Sequence, residues 1–104
     1  MIPKPIYKKL RENWGVRADS LSCYAEIKFI DKLTRWAWYI LAVNPDDDST
    51  IRCIVDEAGE VKVCTWTLDD LDQFYNREGE SPVIDREFRP IKADILYKKL
   101  KGNS

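Results

Sequence analysis

Histidine is absent from this chain of 104 residues. Its absence removes the most common general base near neutral pH and a main zinc ligand. Glycine occurs only four times and never in a cluster, so the sequence contains no glycine-rich phosphate-binding loop. No serine lies in the context of a nucleophile elbow. These absences favour a protein that binds over one that catalyses, and we expect no cofactor.

Cysteine is also scarce, with three residues at Cys23, Cys53 and Cys64. An odd number without close pairing is a poor disulfide framework. We expect three reduced, buried thiols, as is typical of a cytosolic protein. The longest apolar run, residues 36–43, is too short to span a bilayer, and nothing near the amino terminus resembles a signal peptide. The predicted location is the cytoplasm, with no membrane partner.

Charge is nearly balanced, with 17 basic and 18 acidic residues, but it is unevenly distributed. Residues 1–17 and 88–104 each carry five basic residues and one acid, whereas residues 44–87 carry thirteen acids and four basic residues. If the termini meet in the fold, one face is basic and another acidic. The alternative is solvated faces whose charges cancel. Length and composition fit one globular domain over residues 1–104.

Hydrophobic periodicity predicts the elements of the first half of the chain. Pro5 suits the first turn of a helix and Gly15 its stop, so we predict a helix over residues 5–13. Residues 22–30 alternate as a half-buried strand, and residues 34–43 are apolar on both faces, as in a central strand. The strand over 22–30 is expected to place Cys23, Ala25, Ile27 and Phe29 on one face. A loop is predicted over residues 44–49.

The hairpin formed by residues 51–55 and 61–66 allows two registers. A two-residue loop at Ala58-Gly59 sets Cys53 opposite Cys64 but mixes Lys62 with apolar neighbours. A three-residue loop with a left-handed Gly59 pairs Asp56 with Glu60 and leaves one coherent apolar face. Because a slip of one residue exchanges the faces, we predict the second register, in which the two cysteines are not direct partners.

A second helix is predicted after this hairpin, with Thr67 as its N-cap and Asp70 as a capping-box partner. We expect that helix to end near Asn76, followed by a short strand over 83–88 and a C-terminal helix from about Ile91. The order α-β-β-β-β-α-β-α predicts an α+β fold. Its sheet is mainly antiparallel with about five strands, an N-terminal helix, one helix after the fourth strand and a C-terminal helix.

Acidic residues allow a weak metal hypothesis. Asp46, followed by Glu60 and Lys62, matches the Asp…Glu-x-Lys string of metal-dependent nucleases, in which both acids hold one magnesium ion. In the predicted register the two acids lie on the order of 30 Å apart along an extended strand. The aspartates 46–48 lack the glycine and the distal glutamate of a calcium-binding EF-hand. A metal-dependent nuclease is therefore the third hypothesis.

Aromatic residues support a second hypothesis, since four tryptophans and five tyrosines occur in this short chain. Sheet-borne rings flanked by basic side chains can stack the bases of single-stranded nucleic acid. The candidate residues for such a platform are Tyr24, Lys28, Arg35 and Tyr39. The alternative is that these rings form the core, and a pI near 5.5 does not favour a dedicated nucleic-acid binder.

A non-enzymatic protein-interaction module is the leading hypothesis, because Tyr and Trp are enriched in interface hot spots and the acidic segment could face a basic partner. An unknown protein is the expected partner, and nucleic acid is the alternative. The candidate acidic interaction surface consists of Asp46, Asp47, Asp48, Asp69, Asp70 and Asp72.

Five stretches of the chain resemble an uncharacterised bacterial family known as domain of unknown function 2958. The stretches are Ile2-Pro3-Lys4-Pro5-Ile6-Tyr7-Lys8-Lys9-Leu10, Tyr24-Ala25-Glu26-Ile27-Lys28-Phe29, Trp36-Ala37-Trp38-Tyr39, Thr67-Leu68-Asp69-Asp70-Leu71 and Asp85-Arg86-Glu87-Phe88-Arg89-Pro90. The resemblance implies a small α+β bacterial protein, often encoded near plasmid or phage genes. It implies partners in DNA transfer or host defence and no particular catalytic residue.

Overall fold

An antiparallel sheet of five strands, in the order β5-β4-β3-β2-β6, organises the computed structural model, which describes residues 2–102. A separate two-stranded sheet pairs β1 with β7. These findings confirm the predicted α+β class. The elements are α1 (Lys4–Asn13), α2 (Val16–Asp19), β1 (Tyr24–Ala25), β2 (Ile27–Ile30), β3 (Ala37–Asn44), β4 (Asp47–Glu57), β5 (Glu60–Thr67), α3 (Leu68–Asp72), β6 (Val83–Ile84), β7 (Ile91–Lys92) and α4 (Ala93–Gly102).

Both faces of the large sheet are covered. On one face, here called the α1 face, α1 and α3 pack against strand residues such as Trp38 and Ile51. On the opposite face, here called the α4 face, α2, α4 and the small sheet pack against residues such as Leu41 and Ile54. Seven residues of β3 in succession are buried, which confirms the expectation of a central strand covered on both sides.

A β-bulge in the middle of β3 interrupts its pairing with β4. Ile40 pairs with Cys53 and Ala42 pairs with Arg52, so Leu41 has no partner on β4. The Leu41 carbonyl is nevertheless satisfied, since the Asn13 side-chain amide donates a hydrogen bond to it at 3.1 Å. Asn13, at the end of α1, is only 6% exposed. This buried bond fixes the end of α1 to the centre of the sheet.

The β4–β5 hairpin adopts the register that we did not predict. Its loop is the two-residue Ala58-Gly59, with φ angles of 57° and 109°, and it sets Cys53 directly opposite Cys64. The prediction assumed that one face of the hairpin carries the apolar residues. In the structure Val61 packs on the α4 face while Cys64 packs on the α1 face, so the apolar residues divide between the two cores.

The predicted continuous strand over residues 22–30 is also wrong, because the chain breaks at Glu26. Cys23 and Ala25 join the core of the α4 face, whereas Ile27 joins that of the α1 face. The Glu26 N–H donates to the Ile40 carbonyl at 3.1 Å and so bridges the break. The residues before the break pair with β7 instead of extending β2.

The second half of the chain differs from the prediction mainly in the lengths of its elements. The Thr67–Asp70 capping box is confirmed, but α3 ends at Asp72 and β6 spans only two residues. Asn76, the predicted helix end, is buried, and its amide donates to Asp31 at 2.8 Å while its carbonyl oxygen accepts two loop N–H groups. Such side-chain bonds compete with helix formation. In addition, β4 begins inside the predicted loop, α4 begins at Ala93 after a short strand, and α2 was not predicted.

Removal of the Asn13 amide should destabilise the fold, because it leaves the Leu41 carbonyl buried without its principal donor. We expect Asn13→Ala to lower the free energy of unfolding by about 1–3 kcal/mol, measured by urea denaturation. Glu12→Ala, at the exposed neighbouring position, should change it by less than about 0.5 kcal/mol. Equal effects of the two variants would contradict the anchoring role of Asn13.

Truncation of Trp38 should be more damaging, because this ring is fully buried and packs edge-on against Trp66 and Phe74, with centroids 5.5 and 4.9 Å away. We expect Trp38→Ala to lower the free energy of unfolding by about 3–5 kcal/mol, measured by urea denaturation followed by circular dichroism. Tyr75→Ala, at a ring that is 65% exposed, serves as the control. A loss no larger than that of Tyr75→Ala would show that the tryptophan is not a core residue.

Candidate functional site

Three of the four residues predicted to bind nucleic acid line one surface depression. Lys28, Arg35 and Tyr39 surround it with Asp56, and its volume is about 430 Å³. Tyr24 is not among its lining residues and belongs to the small sheet, where its side chain is 48% exposed. The structure thus brings together the residues of the large sheet and leaves Tyr24 outside the group.

The ring in this depression is already covered. Tyr39 is 6% exposed, and the Lys28 ammonium lies over its ring at 5.1 Å from the centroid. The same ammonium lies 3.6 Å from a carboxylate oxygen of Asp85. Stacking of a base requires an open ring face, which Tyr39 lacks in this conformation. The nucleic-acid hypothesis stays a prediction, and its remaining exposed member at the depression is Arg35, on a turn with φ of 67°.

The six predicted acidic surface residues lie at one end of the large sheet, because the Thr50–Thr67 pair joins the β3–β4 turn to the start of α3. Three of the six interact with other side chains or with the backbone of the chain. Asp47 accepts hydrogen bonds from the Ser49 and Thr50 hydroxyls, and the Thr50 bond is the larger cause of its lowered pKa. Asp48 pairs with Arg11 at 3.2 Å, and Asp70 belongs to the capping box. The other three, Asp46, Asp69 and Asp72, are exposed on the surface.

The nuclease string is divided between the two ends of the β4–β5 hairpin. Asp46 precedes the first residue of β4, whereas Glu60 follows the turn at its far end. The Lys62 ammonium lies 3.3 Å from Glu57 and 3.5 Å from Glu60, and these carboxylates raise its pKa. Within residues 2–102, no cluster of three or more His, Cys, Asp or Glu side chains could hold a metal ion. In this structure, the Glu-x-Lys motif forms a surface ion-pair cluster beside the turn.

Strand β5 is a feature whose position the sequence did not reveal. It is eight residues long and forms an outer edge of the large sheet. The two-residue loop makes Glu57 and Glu60 the first hydrogen-bonded pair of the ladder. By alternation, the backbone N–H and C=O groups of Val61, Val63 and Thr65 point away from β4.

Thr67, the next residue of β5 in this alternation, supports the outward direction of these backbone groups. Thr67 donates its N–H to the Asp70 carboxylate at 3.0 Å and not to β4. Within residues 2–102, no backbone hydrogen bond links Val61, Val63 or Thr65 to a segment outside the sheet. Val61 is only 5% exposed, whereas Val63 is partly buried and Thr65 is exposed. The accessible backbone donors and acceptors on the outer edge of β5 are therefore those of Val63 and Thr65.

Two cysteines face each other on β4 and β5. Cys53 is fully buried and Cys64 is partly buried on the α1 face, and the Cys53 sulfur lies 3.6 Å from the Cys64 carbonyl oxygen. The Cys53 thiol donates to that carbonyl oxygen, and its side-chain hydrogen bonding to Cys64 lowers the pKa of Cys64 to about 7, in opposition to the effect of burial. The same interaction, together with burial, raises the pKa of Cys53 well above its usual value.

No protein-family model, curated protein or solved structure matches the chain. The resemblance to domain of unknown function 2958 consequently stays a prediction. Among residues 2–102, no helix is both long and apolar enough to cross a membrane. The function is therefore inferred from the geometry of the chain itself.

Alkylation should distinguish Cys64 from the other cysteines. Because the thiolate is the nucleophile and the pKa of Cys64 is lowered to about 7, its reaction rate with iodoacetamide should rise with pH and reach half its maximum near pH 7. Peptide mass spectrometry after timed quenching measures this rate. The buried Cys23 and Cys53 should react far more slowly. A midpoint near pH 9, the ordinary value for a thiol, would contradict the donated hydrogen bond.

Proposed function

We propose that this protein is a non-enzymatic protein-interaction module whose β5 edge accepts an extended, basic segment of a partner protein as an additional strand. The observation that carries the proposal is the outer edge of β5, where the backbone groups of Val63 and Thr65 are directed outward and are not fully buried. In strand addition, main-chain hydrogen bonds supply affinity and alternate side-chain contacts supply specificity. An exposed edge strand is the surface that this mode requires.

The side chains beside this edge favour a partner segment of alternating character. On the α1 face an added strand would lie next to Cys64 and Trp66, both partly buried. On the α4 face it would lie next to Val63 and Thr65. Tryptophan is among the residues most often found at interface hot spots. An apolar side chain at every second position of the partner would extend the packing around Trp66.

Charge favours a basic partner. Residues 44–72 contain nine acids and only two basic residues, and β5 lies within this stretch. Glu57 and Glu60 flank the beginning of β5, while Asp69 and Asp72 are exposed just beyond its end. A basic segment that runs along β5 would meet carboxylates at both ends, and complementary charge of this kind favours encounter and correct orientation.

The same charges oppose self-association through β5. If two copies paired their β5 strands in antiparallel fashion, the beginning of each strand would lie beside the end of the other. Glu57 and Glu60 of one copy would then approach Asp69 and Asp72 of the second, and such like-charge contacts are unfavourable. Lys62, on the edge strand itself, is a charged residue of the kind that limits edge-to-edge pairing. A different, basic protein is therefore the favoured occupant.

A matched pair of substitutions at Thr65 tests the proposal. Thr65→Pro removes an outward N–H that the ladder with β4 does not use, and proline is tolerated at such positions of edge strands. Thr65→Val keeps the N–H, and both variants lose the bond that Arg52 donates to the Thr65 hydroxyl. The probe is a blocked ten-residue peptide in which valine alternates with threonine and whose ends are arginine. We expect Thr65→Pro to weaken binding by at least about tenfold relative to Thr65→Val, measured by fluorescence anisotropy.

Controls separate a binding defect from a folding defect. Circular dichroism and thermal unfolding should show both Thr65 variants folded. A peptide with the same alternation but acidic ends should bind more weakly, and salt should reduce the difference between the two peptides. Equal affinities of the two Thr65 variants, or no binding of the basic peptide by the wild-type protein, would exclude strand addition at β5.

Single-stranded nucleic-acid binding is the alternative, supported by the grouping of Lys28, Arg35 and Tyr39 around one depression. Tryptophan fluorescence titrated with a mixed-sequence single-stranded oligonucleotide tests it, since saturable quenching that weakens with salt would favour it. A metal-dependent nuclease remains the third hypothesis. From the family resemblance we further propose a bacterial protein encoded on a plasmid or phage, and from its three unpaired cysteines a cytoplasmic location.

A further inference from the structure

We propose that Cys53 and Cys64 form a reversible disulfide bond between β4 and β5 when the folded protein meets a peroxide. The inference is independent of the proposed strand addition, because it depends only on the pairing of two residues within one chain. It assigns a site of oxidative modification to a pair of thiols that the sequence alone placed out of register.

The geometry of the hairpin sets the two sulfur atoms together. Cys53 and Cys64 are direct cross-strand partners, and their side chains lie on the same face of the sheet. By the alternation of the ladder they form a hydrogen-bonded pair, whose Cα atoms are about 5.5 Å apart in antiparallel sheets. This separation lies within the range of about 4.4–6.8 Å that disulfide bonds span. Joining them requires no change of register or of strand pairing, only a closer approach of the two strands.

The two cysteines are suited to different steps of this oxidation: Cys64 to the reaction with peroxide, and Cys53 to the formation of the disulfide. Cys64 is partly buried on the outer strand, so a small oxidant can reach its sulfur, and its lowered pKa supplies thiolate at neutral pH. Cys53 is fully buried and directly opposite, so it can react with Cys64 but not with a bulky reagent from solution. A reactive thiol beside a second, resolving thiol is the arrangement found in peroxide-sensing proteins.

The reaction balances with a peroxide as the only oxidant. The Cys64 thiolate attacks one peroxide oxygen, an S–O bond forms, the O–O bond breaks, and hydroxide leaves. The Cys53 sulfur then attacks the Cys64 sulfur, an S–S bond forms, and the S–O bond breaks. The leaving oxygen takes the Cys53 proton, so two thiols and one hydrogen peroxide give one disulfide and two water molecules.

The sheet also provides the reason for reversibility. Cβ atoms of directly opposed residues lie about 4.5–5.5 Å apart, whereas a disulfide prefers about 3.5–4.5 Å. The two strands must therefore draw together when the bond forms, and strained disulfides are the more easily reduced ones. We expect a dithiol to restore the reduced protein without unfolding it.

Cys23 is an internal control in the same molecule. It lies on the α4 face, is 2% exposed, and directs its thiol toward the Leu41 carbonyl oxygen at 3.9 Å. The sheet separates it from the other two sulfur atoms, so it should stay reduced when they are oxidised.

The experiment treats the full chain with a small excess of hydrogen peroxide, blocks the remaining thiols with N-ethylmaleimide, and maps tryptic peptides by mass spectrometry. Cleavage after Arg52 and Lys62 places the two cysteines in different peptides, residues 53–62 and 63–77. We expect these peptides to be joined, with Cys23 labelled by maleimide, and dithiothreitol to separate them. Cys23→Ser should behave like the wild-type protein.

Two further variants distinguish the steps. Cys53→Ala keeps the site apolar but removes the group that lowers the pKa of Cys64. When it is treated with peroxide at or above pH 9, the ordinary pKa of a thiol, this variant should leave a sulfenic acid on Cys64 that dimedone labels. Cys64→Ser should give neither the label nor the joined peptides. Wild-type protein that keeps both thiols free under conditions that consume the peroxide would overturn the proposal. Peptides 63–77 joined to each other from two chains, or any disulfide that involves Cys23, would also overturn it.

Discussion

The hydrogen bond from Asn13 to the Leu41 carbonyl is the interaction on which the arrangement of the two cores depends. A bulge in a strand that is buried on both sides leaves a polar group in an apolar environment, and an unpaired carbonyl there is costly. Asn13 satisfies this group and so holds the end of α1 against the middle of β3. The bulge in turn places Leu41 and Ala42 on the α4 face while Ile40 and Val43 stay on the α1 face.

Coverage of both faces by helices determines which surfaces remain for function. Trp36, Trp38 and Trp66 form one aromatic group with Phe74 on the α1 face, with centroid separations of 4.9–6.4 Å. These rings therefore supply apolar area to the core and are not arranged as an exposed stacking surface. The large sheet offers its backbone only at its edges, and β5 is much longer than β6 at the other edge. The proposed recognition of a partner by β5 depends on this division.

The register of the β4–β5 hairpin brings two chemical features onto one strand. The type I′ geometry of Ala58-Gly59, stabilised by a hydrogen bond from the Gly59 N–H to the Asp56 carboxylate at 2.7 Å, sets every pair along the ladder. One consequence is that Val61, Val63 and Thr65 direct their backbone groups outward. The other is that Cys64 lies opposite Cys53, where the interaction between the two side chains shifts the pKa values of the two thiols in opposite directions.

The sequence by itself determined the features that depend on neighbouring residues. The capping box of Thr67 and Asp70, the start of α1 near Pro5 and the apolar run of β3 each reflect local backbone and side-chain preferences. The hairpin register, the break at Glu26 and the edge position of β5 were decided only by the tertiary structure. Each depends on how many faces of the sheet are covered and on which distant segments cover them. No local sequence pattern encodes either of these. The candidate edge and the cysteine pair follow from these non-local choices. Of the predicted platform, Lys28 and Tyr39 are cross-strand partners on β2 and β3, whereas Arg35 lies on the turn between them and Tyr24 lies outside the group.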